Sequence, residues 1–352
     1  MCPLILEFLK EPFYEVVVCN SGQHKDMVKE ITDYFGIKIN YDLDVMQEGQ
    51  SLASLSAKIL ERANEIVTLT HPDILCVHGD TTTAKSFAEV GFYNHIPVAH
   101  IEAGLRTNDL LSPFPEEFNR VFIDKLSTLL FAPTDANAKA LVKEGINDKR
   151  IYVTGNTVID SLKYTIRDTN TNTELKDWIG DSKYIILTTH RRENLGDPMK
   201  EIFNAISELT YKFPEIKFIY PMHPNPVIKE IADKYLRPRD NLKVTKPLNV
   251  FQFHNLLKNA YGVITDSGGI QEECCGLKIP TFVIREHSER QEGINTHLIH
   301  LIGCSMQEIV YTLSDFIYRE RKGYLPRGFK NPYGDGNACI KIAEIIKDFL
   351  YD

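Results

Sequence analysis

Short β-rich runs alternate with helix-length segments along almost the whole chain, and this alternation restricts the fold more than any other feature. The runs Glu15–Cys19, Ile74–His78, Pro97–Ile101, Leu129–Ala132 and Ile151–Thr154 form a first series. Tyr184–Thr188, Lys217–Pro221, Leu242–Val244, Gly262–Thr265 and Thr281–Ile284 form a second. Helical stretches such as Leu52–Leu69 and Met199–Phe213 separate them. Alternation of this kind predicts parallel sheets built from βαβ units. Two series around the polar stretch 167–182 ("RDTNTNTELKDWIGDS") predict an α/β protein of two doubly wound domains, 1–165 and 166–333. The helix expected at Ala338–Phe349, within 334–352, packs back on the first domain. In open α/β sheets ligands sit at the carboxyl ends of the strands, so the informative residues should come just after each run.

Several function classes are disfavoured at once. The formal net charge is −8 and no basic block or tail is present, which argues against nucleic acid as a partner. No apolar run approaches the ~18–20 residues of a membrane span, and the first ten residues do not resemble a signal peptide. The seven cysteines show no Cys-x-x-Cys spacing, so a reduced, cytoplasmic protein without a structural metal is expected. The nearest approach to a dinucleotide fingerprint, Gly334-Asp-Gly-Asn-Ala-Cys339, follows no strand; it reads as the loop that opens the last helix, and no nicotinamide cofactor is expected.

Acidic residues follow successive strands of the first series. Asp80 comes after Ile74–His78, Glu102 after Pro97–Ile101, and Glu116 lies in "SPFPEE". Grouped carboxylates raise one another's pKa, which suits general acid–base work near neutral pH. The plainer reading makes Asp80 a helix cap and Glu116 the favourable charge at a helix start. In the second series, His190, Arg191 and Arg192 follow Tyr184–Thr188, a set suited to a departing phosphate. A solvated salt-bridge cluster is the alternative. His223 sits in a proline-rich turn after Lys217–Pro221, either as a site residue or as a paired structural histidine.

The stretch "VITDSGGIQEE" reads as strand, turn and first helical turn. Ser267, Gly268 and Gly269 offer backbone N–H groups to an anion, and Glu273 offers acceptor oxygens to vicinal hydroxyls. A ligand with phosphate at one end and a diol at the other is a nucleotide. Arg290 is placed to neutralise a second phosphate, whereas Glu272 reads as a carboxylate favourable near a helix N-terminus.

The strings "SGQH", "VHGDTTT", "HIEAGLRT", "SPFPEE", "VTGNTVID", "THRRENLG", "TDSGGIQEE", "SERQEG" and "NPYGDG", in this order, resemble those of the non-hydrolysing UDP-N-acetylglucosamine 2-epimerases. The resemblance implies two Rossmann-like domains with an interdomain cleft (GT-B-like). It also implies interconversion of UDP-GlcNAc and UDP-ManNAc for cell-surface polysaccharide synthesis, by elimination of UDP to a 2-acetamidoglucal and re-addition, without a cofactor. It places catalytic groups on Asp80, Glu102, Glu116 and His190. Nucleotide contacts fall on Leu248, Phe253, Ser267, Gly268, Gly269, Glu273 and Arg290, and a homodimer is expected.

Departures from the family pattern fall in two places. "CCGLKIP" replaces the family's "APSLGKP", and "SERQEG" replaces "TERPEG" while keeping Glu289 and Arg290. The amphipathic segment Cys2–Lys10 opens the chain where the family has a strand and a Gly-Thr-Arg-Pro-Glu turn before it. The chain is therefore expected to start downstream of that strand, to leave sheet edges open, and to be poorly soluble or inactive alone. A hydrolysing epimerase, a GT-B glycosyltransferase and a non-catalytic nucleotide-sugar-binding protein remain the rival readings.

Overall fold

The computed structural model describes residues 1–22, 25–47, 49–167, 172–288, 290–319 and 328–351, with the side chains of 25–27 and 192 also left undescribed. Parts of the expected "SGQH" motif and of the polar stretch 167–182, and Glu289, therefore lie outside the described residues. The chain divides into two compact units, Met1–Ser161 with Gly334–Asp352, and Leu162–Tyr333.

In the first unit the strands are β1 (Cys19–Asn20), β2 (Tyr41–Asp42), β3 (Leu75–His78), β4 (Val98–Ile101), β5 (Leu129–Ala132) and β6 (Ile151–Val153). All ladders are parallel, but the strands fall into two sheets, β1-β2 and β3-β4-β5-β6. The run expected as a strand over Glu15–Cys19 contributes only its end. The ladder is confined to Cys19–Asn20, because a strand is defined by its neighbour and only β2 lies beside it among the described residues. Val98–Ile101 and Leu129–Ala132 are buried throughout, as a parallel strand covered on both faces requires. The helix Cys2–Lys10 buries Pro3, Leu4, Ile5 and Phe8. Leu4 and Phe8 join Ile342 and Ile346 of the last helix, Ala338–Tyr351, and Ile101 and Phe131 of the sheet in one core. At about 1.5–3 kcal/mol per fully buried large apolar side chain, this cluster is a principal stabiliser of the unit.

The second unit holds β7 (Tyr184–Thr188), β8 (Lys217–Pro221), β9 (Leu242–Thr245), β10 (Gly262–Thr265), β11 (Thr281–Val283) and β12 (Ile299–Leu301) in one parallel sheet. The spatial order is β12-β11-β10-β7-β8-β9. Counted within the unit this is the order 3-2-1-4-5-6 of a doubly wound sheet, with its switch point between β7 and β10. Neither β2 nor β12 stood out in the sequence, each being only two or three residues long. The helix Asp197–Lys212 packs Ile202, Phe203, Ile206 and Leu209 onto the sheet residues Ile185, Phe218 and Tyr220. Among the described residues, no helix is long and apolar enough to cross a membrane.

Candidate active site

In the first unit β3 and β4 end level, with His78 in register with Ile101. Asp80 and Glu102 thus emerge from neighbouring strand ends. Gly79 has φ of +66°, and a Cβ there would lie 3.2 Å from Glu102 Oε2. Only glycine lets the carboxylate settle against the backbone of the Asp80 turn. Glu102 itself has φ of +72°, an unusual conformation for a residue with a side chain, and strain of this kind is common at functional positions. The carbonyl of Phe131 accepts from the N–H groups of both Glu102 and Ala103, at 3.1 and 3.0 Å, and so holds the turn. Glu102 Oε1 accepts from Asn156 Nδ2 at 3.2 Å.

Asp80 does not cap the next helix; Thr81 does, its hydroxyl accepting from Ala84 N–H. The Asp80 carboxylate instead takes the Arg120 guanidinium on Oδ2, while its backbone carbonyl accepts from Asn119 Nδ2 at 2.8 Å. Burial pushes its pKa above the ordinary value; Arg120 opposes this and the nearby Glu102 adds to it. An acid near a second carboxylate, with its pKa raised, is suited to carrying a proton.

Glu116 and Glu117 start the helix Glu116–Leu126 and differ completely in use. Glu117 is buried and structural: it accepts from Thr107 N–H and Asn108 N–H at 2.9 Å and from Arg120 Nη1 at 3.0 Å. Glu116 Oε2 is buried with no hydrogen-bond partner among the described residues. The first-turn position expected for Glu116 and a buried carboxylate oxygen without a hydrogen-bond partner coexist in one residue.

In the second unit the switch point carries the site. Thr188 at the end of β7 and Thr265 at the end of β10 are in register, their hydroxyls 2.6 Å apart. The next residue, Asp266, is a hub that sequence reasoning missed. Its Oδ2 accepts from the Thr189 hydroxyl at 2.9 Å, from His190 and Arg191 N–H at 2.9 and 3.0 Å, and from Asn194 Nδ2 at 3.0 Å. Its Oδ1 lies 3.2 Å from Nδ1 of the half-exposed His190 ring. Burial alone would raise the Asp266 carboxyl, but the His190 ring and the N–H groups of Arg191 and His190 outweigh it and hold the pKa at about 2. The only signal in the sequence was an acidic residue directly after a strand. His223 stacks on His190 with ring centroids 6.1 Å apart, and the Arg192 side chain lies outside the described residues.

Ser267 is the N-cap residue of the helix Gly268–Leu277 and its own N–H donates to the Thr265 hydroxyl at 3.0 Å, so the first N–H groups left without a partner inside the helix are those of Gly268 and Gly269. A Cβ on Gly268 would come 2.4 Å from Arg290 Nη1, so the guanidinium lies directly on the turn. Glu272 holds it there, Oε1 accepting from Arg290 Nε at 2.7 Å. Glu272 is thus an arginine anchor in the second turn of the helix, which corrects its reading as a carboxylate favoured by the helix end. Glu273, one turn along, has Oε1 3.4 Å from His254 Nε2. Its Oε2 is buried without a partner among the described residues. Phe253 precedes that histidine on the helix Val250–Lys258, and Leu248 lies in the loop before it. Leu248, Ser267, Gly268 and Gly269 stand just after the carboxyl ends of β9 and β10, Phe253 and Glu273 lie within the helices that follow those two strands, and Arg290 lies in the segment after β11. Among the described residues, no cluster of three His, Cys, Asp or Glu side chains is placed to hold a metal ion.

Comparison with known proteins gives a consistent result. Residues 7–347 match the family model for UDP-N-acetylglucosamine 2-epimerase. A UDP-N-acetylglucosamine 2-epimerase of Bacillus subtilis is 41% identical over 345 residues, covering 98% of this chain and 90% of the relative. Its Escherichia coli K12 counterpart is 37% identical, covering 99% and 95%. The solved Staphylococcus aureus MnaA–UDP co-structure is 39% identical, with a TM-score of 0.92 over 100% of this chain and 93% of the other. The Neisseria meningitidis UDP-GlcNAc 2-epimerase bound to UDP-GlcNAc is 36% identical, with a TM-score of 0.90 over 100% and 96%.

Proposed function

The chain belongs to the UDP-N-acetylglucosamine 2-epimerase family and is an isomerase; from that premise we propose the assignment of its residues to the interconversion of UDP-N-acetylglucosamine and UDP-N-acetylmannosamine. UDP rests on the Ser267-Gly268-Gly269 helix start, where free N–H groups and the positive end of the helix dipole favour phosphate. Arg290, held by Glu272, neutralises the diphosphate. Glu273 accepts from the ribose hydroxyls, and Leu248 and Phe253 complete the nucleotide site. The observation that carries this reading is the pairing of an anion-ready helix start with a buried, unpartnered carboxylate oxygen one turn along.

The carboxylates of the first unit act on the sugar. The C2 hydrogen is not adjacent to a carbonyl, so proton removal alone is difficult. Breaking the C1–O bond sends the electron pair out with UDP and makes C1 cation-like, which acidifies C2–H. A carboxylate among Asp80, Glu102 and Glu116 takes that proton, leaving a 2-acetamidoglucal. Return of a proton to the opposite face of C2, with re-addition of UDP at C1, gives the epimer. His190, its Nδ1 tied to Asp266, presents Nε2 to the departing phosphate oxygen.

The test is solvent exchange. In D₂O every turnover places deuterium at C2 of the product, read by NMR or mass spectrometry. Product carrying only hydrogen at C2 excludes the elimination route. We place the protein in the cytoplasm, which suits its seven unpaired cysteines. Exposed Leu110, Leu111, Phe114 and Phe118 support a homodimer, which light scattering would report as twice the 40.2 kDa chain mass.

A further inference from the structure

His100 and Asp124 are both 0% exposed and neither is among the positions assigned to the substrate. His100 projects from β4, and both of its ring nitrogens face oxygen. Nδ1 is 2.6 Å from Asp124 Oδ1, and Nε2 is 2.9 Å from the carbonyl oxygen of Gly79. A carbonyl oxygen only accepts, so Nε2 must carry a proton. Asp124 meets donors on its other oxygen as well, Gly104 N–H at 3.2 Å and Arg106 Nη2 at 2.7 Å. With Asp124 accepting from Gly104 N–H and Arg106 Nη2, both ring nitrogens of His100 face acceptor oxygens, the pattern that two N–H donors on the ring fit. Arg106 is shared with Glu144 at 2.6 Å, which closes the set. A closed set of this kind avoids leaving an uncompensated charge in the interior. Among the described residues, His78 and Asp80 also face the ring.

The consequence lies in what the pair holds. Through His100, Asp124 grips the carbonyl of Gly79, the residue before Asp80. Through Gly104 N–H and Arg106 it grips the loop that begins at Glu102, whose backbone has a φ of +72°. We propose that Asp124 and His100 are positioning residues that clamp the Asp80 and Glu102 turns at a fixed separation for the proton transfer. Its activity arm rests on the epimerase reading; its spectroscopic arm does not.

The spectroscopic arm uses protein labelled with ¹⁵N in the histidine rings, with His100→Gln to identify the signals. Both His100 nitrogens should report as protonated, each donating to the acceptor oxygen it faces. One unprotonated nitrogen overturns the proposal. In the activity arm, His100→Leu removes both donors and should lower kcat about 10²-fold through misplacement of the turns, with UDP affinity within about twofold of wild type. His100→Gln, which can still donate to the Gly79 carbonyl, should recover about tenfold of that loss. Asp124→Asn provides the same split measurement if the histidine variants do not fold. A kcat within about threefold of wild type for the variants that fold overturns the clamp, as does a parallel loss of kcat and UDP affinity. If wild type itself fails to epimerise, the functional reading falls, while the ring spectrum still decides the protonation of His100.

Discussion

The strands of Leu162–Tyr333 form one continuous sheet, whereas those of the other unit are divided into a pair and a quartet. In the continuous sheet β7 and β10 lie side by side at the switch point, and the loops after them diverge to opposite faces. Asp266 can therefore collect a hydroxyl, two backbone N–H groups and an amide from the facing loop onto one oxygen. The divided unit places its acidic residues after β3 and β4, and ties their turns with side-chain ions. Arg120 holds Asp80, while His100, Asp124 and Arg106 hold the loops around them. The two sites differ accordingly in charge behaviour. Asp266 is held ionised and acts as an anchor, while Asp80 has its pKa raised and is suited to moving a proton. A switch point supplies backbone donors for a phosphate; neighbouring strand ends supply grouped acids.

The largest effect should come from removing an acid of the first unit. Asp80→Asn or Glu102→Gln should lower kcat about 10²–10⁴-fold, the usual span of general acid–base catalysis, with little change in UDP affinity by calorimetry. Affinity falling in step with kcat would break the division of labour between the units.

Stability should separate the same two aspartates. The folded pKa of Asp266 is about 2 against an ordinary 3.8, so its contribution is fully present above the unfolded value and is lost as pH falls through about 2. Its size is roughly 2 kcal/mol. Asp266→Asn should therefore unfold more easily in urea near neutral pH by about 2–3 kcal/mol, since it weakens several charge-assisted bonds at once. The raised pKa of Asp80 has the opposite sign: its ionisation works against the fold above that pKa, so stability attributable to it rises as pH falls. Asp80→Asn should resist urea at least as well as wild type. Equal destabilisation of both variants would show that the two carboxylates are structural alike.

A smaller effect is expected at the nucleotide. Glu273→Ala removes a charged acceptor and should weaken UDP binding by about 1.5–3 kcal/mol in calorimetry, with unchanged unfolding. Equal affinities would remove Glu273 from the site. The smallest is Gly268→Ala. The added methyl falls where the Arg290 guanidinium lies, and a flexible side chain moves aside more readily than backbone. A loss in UDP affinity of about tenfold is expected, within the ~1–3 kcal/mol range of overpacking. Unaltered binding would mean that Arg290 does not need its place over the turn.

What the sequence determined by itself was local. Apolar runs bounded by turns mark most of the strands, and Ser-Gly-Gly after such a run marks a helix start able to receive an anion, because turn chemistry operates within a few residues. Asp80, Glu102, Glu116, His190 and the Ser267–Glu273 segment could all be named from their places after strands. What tertiary structure decided was partnership. The hydrogen bond from His190 N–H to Asp266 joins residues 76 positions apart, and it exists only because β7 and β10 are neighbours. The difference between adjacent Glu116 and Glu117 arises from helical rotation, which turns one into a buried ion network and leaves an oxygen of the other unpaired. Arg290 over Gly268, the anchoring role of Glu272 and the burial of His100 on Asp124 likewise follow from packing. Backbone propensity is a property of neighbouring residues, whereas the free energy of a buried charge depends on which groups the fold brings around it.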